Sequence, residues 1–259
     1  MTLTRHPLSA TIITHNAGAT LPRCLESLAD LADEIVVVDS GSTDDTRVVA
    51  ERFGVRWFDQ PWLGYGRQKQ YAVDAATHDW ILSLDSDEAL SLNLVHSITT
   101  VLIRPTHPVY ALARQNYFMG RALCHGEGYP DWVVRLFDRR KARWSHDTIH
   151  EKVMASVTPQ RLEGVLRHDS AVNIRDYLER QNRYSTLAAE AMWAEGKRSH
   201  WLRAIASPLL RFMRFYILKS GWRDGFPGFC HITIGLFTSF VKHMKLIERA
   251  RRTDRSETP

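Results

Sequence analysis

Asp85 and Asp87 stand one residue apart at the end of an apolar run, Trp80-Ile81-Leu82-Ser83-Leu84-Asp85-Ser86-Asp87-Glu88. Two carboxylates at this spacing can hold a hard divalent cation, with diphosphate oxygens and water completing the shell. The same pair also reads as a solvated acidic turn that caps the next helix. Asp39 closes a second apolar run, Glu34-Ile35-Val36-Val37-Val38-Asp39-Ser40-Gly41-Ser42-Thr43-Asp44. In a doubly wound sheet an aspartate there emerges where a nucleotide base or ribose lies; a plain strand-to-helix turn is the alternative. It is not a Walker loop, because the Gly-Lys-Ser ending is missing. Arg67 and Lys69 begin a helix, where cations oppose the helix dipole. A phosphate would explain them, and so would a solvated face. Arg143-Trp144-Ser145-His146-Asp147-Thr148-Ile149-His150-Glu151 is dense in titratable groups, the setting in which catalytic bases sit.

These residues need a frame. Ala10–Thr14, Glu34–Asp39, Val55–Phe58 and Trp80–Asp85 read as strands, with helices at Leu21–Leu28, at Asp45–Phe53 and after Arg67. The first 90 residues therefore read βαβαβαβ, an α/β unit on a parallel sheet. The β-branched run before Asp39 shows no alternation, as expected of a strand covered on both faces. Cys24 falls on the buried side of the first helix. After a helix at Leu94–Leu102 the pattern turns mixed. Val109–Arg114, Val133–Phe137 and Leu162–Arg167 read as strands. Between the first two, Asn116 to Asp131 is irregular and glycine-rich and reads as a binding loop. A long helix follows from Asn173 to Glu195.

The chain has 259 residues and a net charge of +5, with 44% hydrophobic and 24% charged residues. Its three cysteines, Cys24, Cys124 and Cys230, are too few and too far apart for a disulfide framework or a zinc site. No cationic segment followed by an apolar run marks a signal peptide, so the catalytic part is expected in the cytoplasm. Charge is unevenly placed. Lys197 to Arg252 holds 12 Lys and Arg against 2 Asp and Glu, a net of +10, which leaves the remainder at −5. Such a basic region calls for an anionic partner. Within it, Leu202, Ile205, Leu209, Phe212, Met213 and Tyr216 share one side of a helix, with Arg203, Arg211 and Arg214 opposite. Phe226 to Val241 is 16 residues without formal charge, shorter than the roughly 18–20 a spanning helix needs. Cations follow. A helix lying in the headgroup plane of an anionic bilayer fits this pattern; a helical hairpin packed on the body is the alternative. Nucleic acid is disfavoured, since no stacking or groove-reading module is present. The expected division is 1–172 as a catalytic domain (1–90 nucleotide-binding, 91–172 acceptor-binding), 173–252 as a basic amphipathic helical appendage, and 253–259 as a disordered tail.

The chain resembles family 2 glycosyltransferases with the GT-A fold. The residues that carry the resemblance are Ile12-Ile13-Thr14-His15-Asn16, the Ile35–Asp44 stretch and the Trp80–Glu88 stretch. More narrowly it resembles bacterial lipopolysaccharide and lipooligosaccharide core β-1,4-glucosyltransferases, through Gln60–Gly66, Tyr129-Pro130-Asp131-Trp132, Arg135-Leu136-Phe137, His150-Glu151 and Ser220–Gly225. The resemblance implies a metal-dependent hexosyltransferase on a mixed sheet with a parallel N-terminal half. It implies a UDP-sugar donor, Mg²⁺ or Mn²⁺, and an inner-core saccharide acceptor on lipid A. By the family pattern Asp39 would contact the uracil, with Thr14 beside the base and Lys69 near the nucleotide. Asp85 would touch ribose or metal, and Asp87 would bind metal. Where the family has Asn-Glu after the first strand this chain has Asn16-Ala17. It also lacks the Glu-Asp base and the Gln-x-x-Arg-Trp motif of processive relatives.

The expected chemistry is a single displacement with inversion, at the inner face of the inner membrane. A carboxylate takes the acceptor hydroxyl's proton. Glu151 is the first candidate, because it follows the acceptor-side strand, and Asp131 the second. His168 is a candidate third metal ligand, although a lone histidine also reads as structural. Alternatives are transfer to a polyprenyl phosphate or an exopolysaccharide, a sugar-nucleotide nucleotidyltransferase, and a non-catalytic membrane scaffold. The nucleotidyltransferase would need a basic triphosphate loop after the first strand, where Thr14 to Gly18 offers no cation but His15.

Overall fold

The computed structural model describes residues 4–127, 129–145, 147, 151–169 and 173–256, the last four without side chains. In chain order the first elements are β1 (Leu8–Thr14), α1 (Leu21–Glu26), β2 (Glu34–Asp39), α2 (Thr46–Glu51), β3 (Arg56–Asp59), α3 (Tyr65–Ala75) and β4 (Trp80–Asp85). β1 pairs in parallel with β2 on one side and β4 on the other, and β3 extends the sheet beyond β2. Each parallel crossover carries a helix, as parallel pairing requires. The faces are covered as the apolar runs demand. Leu8, Ala10 and Ile12 of β1 pack with Leu21, Cys24 and Leu25 of α1. On the opposite face Val36, Val38 and Ile81 pack with Ala72 and Val73 of α3 and with Ala76 just after it.

Next come β5 (Glu88–Leu90), α4 (Leu92–Ile103), β6 (Val109–Phe118), β7 (Arg121–Ala122), β8 (Asp131–Asp138), β9 (Ala142–Trp144), β10 (Val153–Ala155) and β11 (Gln160–Asp169). The sheet runs β3-β2-β1-β4-β8-β6-β11-β5, with β7 paired to β6. β8 is antiparallel to β4, β6 to β8, and β11 to β5. Only Ser86 and Asp87 separate β4 from β5, yet three strands lie between the two in the sheet order. The sheet must curl until its edge returns to β4, and the two-aspartate turn closes that curl. β5 and the short β9–β10 ladder are additions to what the sequence reading foresaw. Of the titratable stretch, His146, Thr148, Ile149 and His150 lie outside the described residues.

The chain divides into two compact units, one of residues 1–115 and 130–169, the other of 116–129 and 170–259. Apart from β7 and the end of β6, the elements of the second are helical: α5 (Ile174–Ala194), α6 (Trp201–Phe212), a π-helical stretch Met213–Leu218, a 3-10 turn Gly221–Asp224 and α7 (Gly225–Ser256). Helix α7 thus covers part of the expected tail, and 257–259 lie outside the described residues. Lys245 of α7 donates to Asn182 Oδ1, Ser185 Oγ and Thr186 Oγ1 of α5 at 2.7–2.8 Å. Helix α6 is turned the opposite way from a water-soluble amphipathic helix. Its buried residues are Ala204 and Pro208, and Arg211 reaches Glu127. Its large apolar residues Trp201, Leu202, Ile205, Leu209 and Leu210 are at least half exposed. Met213, Ile217, Leu218, Trp222 and Phe226 continue the exposed strip. Among the described residues no helix is long and apolar enough to cross a membrane.

Candidate active site

At the carboxyl end of β2, Asp39 is 3% exposed and accepts from four donors. Thr14 Oγ1 and Ser42 Oγ reach Oδ1 at 2.8 and 2.5 Å, while the Gly41 and Ser42 amides reach Oδ2 at 2.9 and 2.7 Å. Burial alone would raise its pKa; these bonds lower it. Thr14 and Asp39 are therefore brought together, and the carboxylate is saturated in shaping the loop after β2. Asn16, in the left-handed region at φ 51°, locks the facing loop. Its side-chain oxygen accepts from the Thr43 amide at 2.8 Å, and its own amide donates to Ser42 Oγ at 2.7 Å.

Lys69 and Asp85 also meet. α3 buries Lys69 to 3% exposure, and its Nζ lies 2.8 Å from Asp85 Oδ1 and 3.1 Å from Glu151 Oε1. The cation at the start of α3 is thus matched by carboxylates of its own chain. Asp85 Oδ2 accepts from Arg135 Nη2 at 2.6 Å, and the same nitrogen donates to Glu88 Oε1 at 2.8 Å. Glu88 Oε1 lies 3.5 Å from Arg114 Nη1. Arg114 in turn grips Asp131 Oδ2 through Nε and Nη2 at 3.0 and 2.6 Å. One alternating chain results: Asp131, Arg114, Glu88, Arg135, Asp85, Lys69, Glu151. The two candidate bases are its two ends. Burial would raise the Asp85 pKa, but Arg135 and Lys69 hold the carboxyl well below the usual range. Burial would likewise discharge Arg135, and Asp85 and Glu88 keep it firmly charged.

Trp144 caps this chain. Its ring lies 4.7 Å from Lys69 Nζ and 5.7 Å from the Arg135 guanidinium carbon, in reach of cation–π attraction. Gly66 lets α3 approach β9 this closely: a Cβ there would stand 2.1 Å from the Ser145 carbonyl oxygen. Two buried donors, Arg135 Nε and Trp144 Nε1, have no acceptor among the described residues. Buried donors left unmatched are costly, and an anionic ligand oxygen would satisfy them.

Asp87 and His168 form a separate pair. His168 Nε2 lies 3.5 Å from Asp87 Oδ2. Their closeness follows from the ladder, since His168 is in register with Glu88 and the Asp169 amide donates to the Asp87 carbonyl at 3.0 Å. Burial works against charge on His168, and the Asp87 carboxylate outweighs it and raises the pKa. Among the described residues no three His, Cys, Asp or Glu side chains converge as a metal-binding group. Asp87 and His168 nevertheless supply one oxygen and one nitrogen donor suited to a divalent cation that takes its other ligands from phosphate and water. Four carboxylates against three cations leave the ion-pair chain one negative charge in excess. A divalent cation beside it would offset the charge of an incoming diphosphate.

Sequence reasoning named Asp85, Asp87, Lys69, Glu151, Asp131 and His168 but gave no role to Arg135, Glu88, Arg114 or Trp144. The signal was present in Val133-Val134-Arg135-Leu136-Phe137, where an arginine inside a buried apolar strand requires acidic partners.

The model of glycosyl transferase family 2 matches residues 9–156. The lipopolysaccharide core biosynthesis glycosyltransferase LpsC of Rhizobium meliloti is 32% identical over 254 residues, covering 94% of this chain and 93% of that protein. An uncharacterized glycosyltransferase of Rickettsia typhi is 27% identical over 253 residues, covering 93% and 87%. Among solved structures, TarS of S. aureus superposes with a TM-score of 0.45 at 15% identity, over 70% of this chain and 39% of that one. Glucosyl-3-phosphoglycerate synthase from Mycobacterium tuberculosis, in complex with Mn²⁺, UDP and glucosyl-3-phosphoglycerate, gives 0.36 at 23% identity, over 44% and 45%. Scores this low carry no argument about the site.

Proposed function

The chain belongs to glycosyl transferase family 2, and from that premise we propose that it moves a hexose, glucose by the narrower resemblance, from a UDP-sugar to an inner-core lipopolysaccharide or lipooligosaccharide acceptor with inversion. The observation that carries the donor reading is the buried cluster of Lys69, Arg135 and Trp144 at the carboxyl end of the parallel strands, with two donors unmatched among the described residues. Those groups suit the oxygens of a diphosphate. Thr14 and Asp39 shape the loop on which the base and ribose rest, and Asp85 orients Lys69 and Arg135. Asp87 and His168 are the residues that would hold Mg²⁺ or Mn²⁺. Bound there, the ion supplies Lewis-acid neutralisation of the departing diphosphate.

Glu151 is the proposed base. Held by Lys69 at 3.1 Å, its carboxyl group would take the acceptor hydroxyl's proton as that oxygen attacks the anomeric carbon and UDP departs. Asp131 is the weaker choice, because the Arg114 guanidinium occupies it through two nitrogens. An acceptor anchored on lipid A lies at the cytoplasmic face of the inner membrane. The exposed apolar strip of α6, amid the basic residues of the second unit, suits peripheral attachment to that anionic surface.

A thermal-shift panel of UDP-sugars, with and without Mn²⁺, tests the donor and the ion together. One UDP-hexose should raise the unfolding midpoint in the presence of Mn²⁺, and Asp87→Asn should abolish most of that shift. If no UDP-sugar stabilises the wild type with either ion, the donor assignment is wrong.

A further inference from the structure

We propose that Glu88 is the positioning residue of this site: its buried carboxylate fixes the two-aspartate turn and both guanidiniums at once. The proposal rests on the transferase reading only for its consequence in ligand binding; the geometry stands by itself. Glu88 is 0% exposed. Its Oε2 accepts from the Asp85 amide at 3.0 Å, which pins the first aspartate's backbone. Its Oε1 faces Arg135 Nη2 at 2.8 Å and Arg114 Nη1 at 3.5 Å. Its backbone, in β5, is in register with His168. One residue therefore sets the backbone before Asp87, the strand that brings His168 alongside, and the cations that orient Asp85 and Asp131. Glu88 is also an interior member of the seven-residue ion-pair chain, between Arg114 and Arg135, so the two candidate bases are linked through it. Charged groups in such buried networks act as a unit rather than as separate pairs.

A carboxylate is the only common side chain that fits. Among the described residues the polar partners of the Glu88 carboxylate are donors: an amide on one oxygen, guanidinium groups on the other. Glutamine has one acceptor oxygen and one donor nitrogen. Whichever way its amide turns, an N–H meets another N–H. Glu88→Gln must therefore release either the Asp85 amide or the two arginines.

Hydrogen exchange resolved to the segment containing Asp85 and Asp87 tests this, together with calorimetry using UDP plus Mn²⁺ as the probe. In Glu88→Gln, exchange at the Asp85 segment should quicken at least about tenfold, while β1 and β2 keep their protection. UDP affinity should fall about tenfold or more. Glu88→Asp keeps the charge and should recover part of both. Arg135→Lys keeps the cation but loses the planar fork, and should loosen the same segment without leaving a carboxylate unpaired; it decides the question if Glu88→Gln does not fold. Unchanged exchange at the Asp85 segment in Glu88→Gln overturns the proposal. So does a loss of protection spread evenly over the sheet, which marks a merely structural role. If the wild type binds no UDP, the donor reading fails, and the exchange data still decide the role of Glu88.

Discussion

Asp131 and Glu151 have the same chemistry and different company. Asp131 is held through one oxygen, Oδ2, by two nitrogens of a rigid guanidinium, whereas among the described residues Glu151 accepts one bond, from an ammonium. Lysine is a compact cation on a flexible stem, so Glu151 is the freer of the two to meet a substrate hydroxyl. Glu151→Gln should lower kcat for transfer by about 10²–10⁴, the usual contribution of a positioned base, and leave UDP binding nearly intact. Asp131→Asn should cost less in kcat. Measuring transfer and UDP affinity side by side checks this, and near-normal transfer by Glu151→Gln removes it from the base's role. Asp85 and Asp87, read from the sequence as one metal-binding pair, have distinct neighbours in the fold. Asp85 is gripped by two cations, and Asp87 faces His168. Their spacing could not reveal this, because it depends on strands β8 and β11, which arrive from far along the chain.

The strands that carry the site were legible element by element. The apolar run before Asp85 and the β-branched run before Asp39 both end where β4 and β2 end, since a strand covered on both faces admits few polar residues. The three-residue β5 was not legible. It has no period of its own and exists because β11 pairs with it. The apolar and basic sides of α6 were legible, but not that the small residues Ala204 and Pro208 would be its buried ones while Arg203 and most of the large apolar side chains stay exposed. Amphipathicity marks a boundary between two environments and leaves open which environment is water. Between elements, Glu34 acts as a bolt. It takes bonds from Ser9 beside it in β1, from Arg56 in β3, and from the Thr77 amide and hydroxyl, both at 2.7 Å. Burial would raise its pKa, and these bonds bring it down from the ordinary 4.5 to about 2. A depressed carboxylate gives stability above its unfolded pKa that is lost as pH falls towards its folded one. The unfolding midpoint should therefore drop as pH falls from 4.5 to about 2. Glu34→Gln should have a lower midpoint at pH 7 and a flatter dependence across that window. Parallel acid profiles for the two proteins would refute the assignment.

The two units treat their apolar residues differently. The first buries its apolar residues between a sheet and helices; the second exposes a strip of tryptophan, leucine, isoleucine and phenylalanine within a region of net charge +10. Apolar area and cations together favour an anionic bilayer. The protein should co-sediment with vesicles containing phosphatidylglycerol, less so at high salt. Leu209→Glu combined with Leu210→Glu should abolish most of this while leaving the unfolding midpoint unchanged, because both side chains already face outward. Wild-type protein that stays in the supernatant at low salt would exclude this partner. The same strip has a cost away from lipid. Side chains of that kind left wet on one surface give copies of the chain a reason to adhere to one another, so its solubility in plain buffer depends on mutual repulsion between the neighbouring arginines and lysines, and salt that screens them removes that protection.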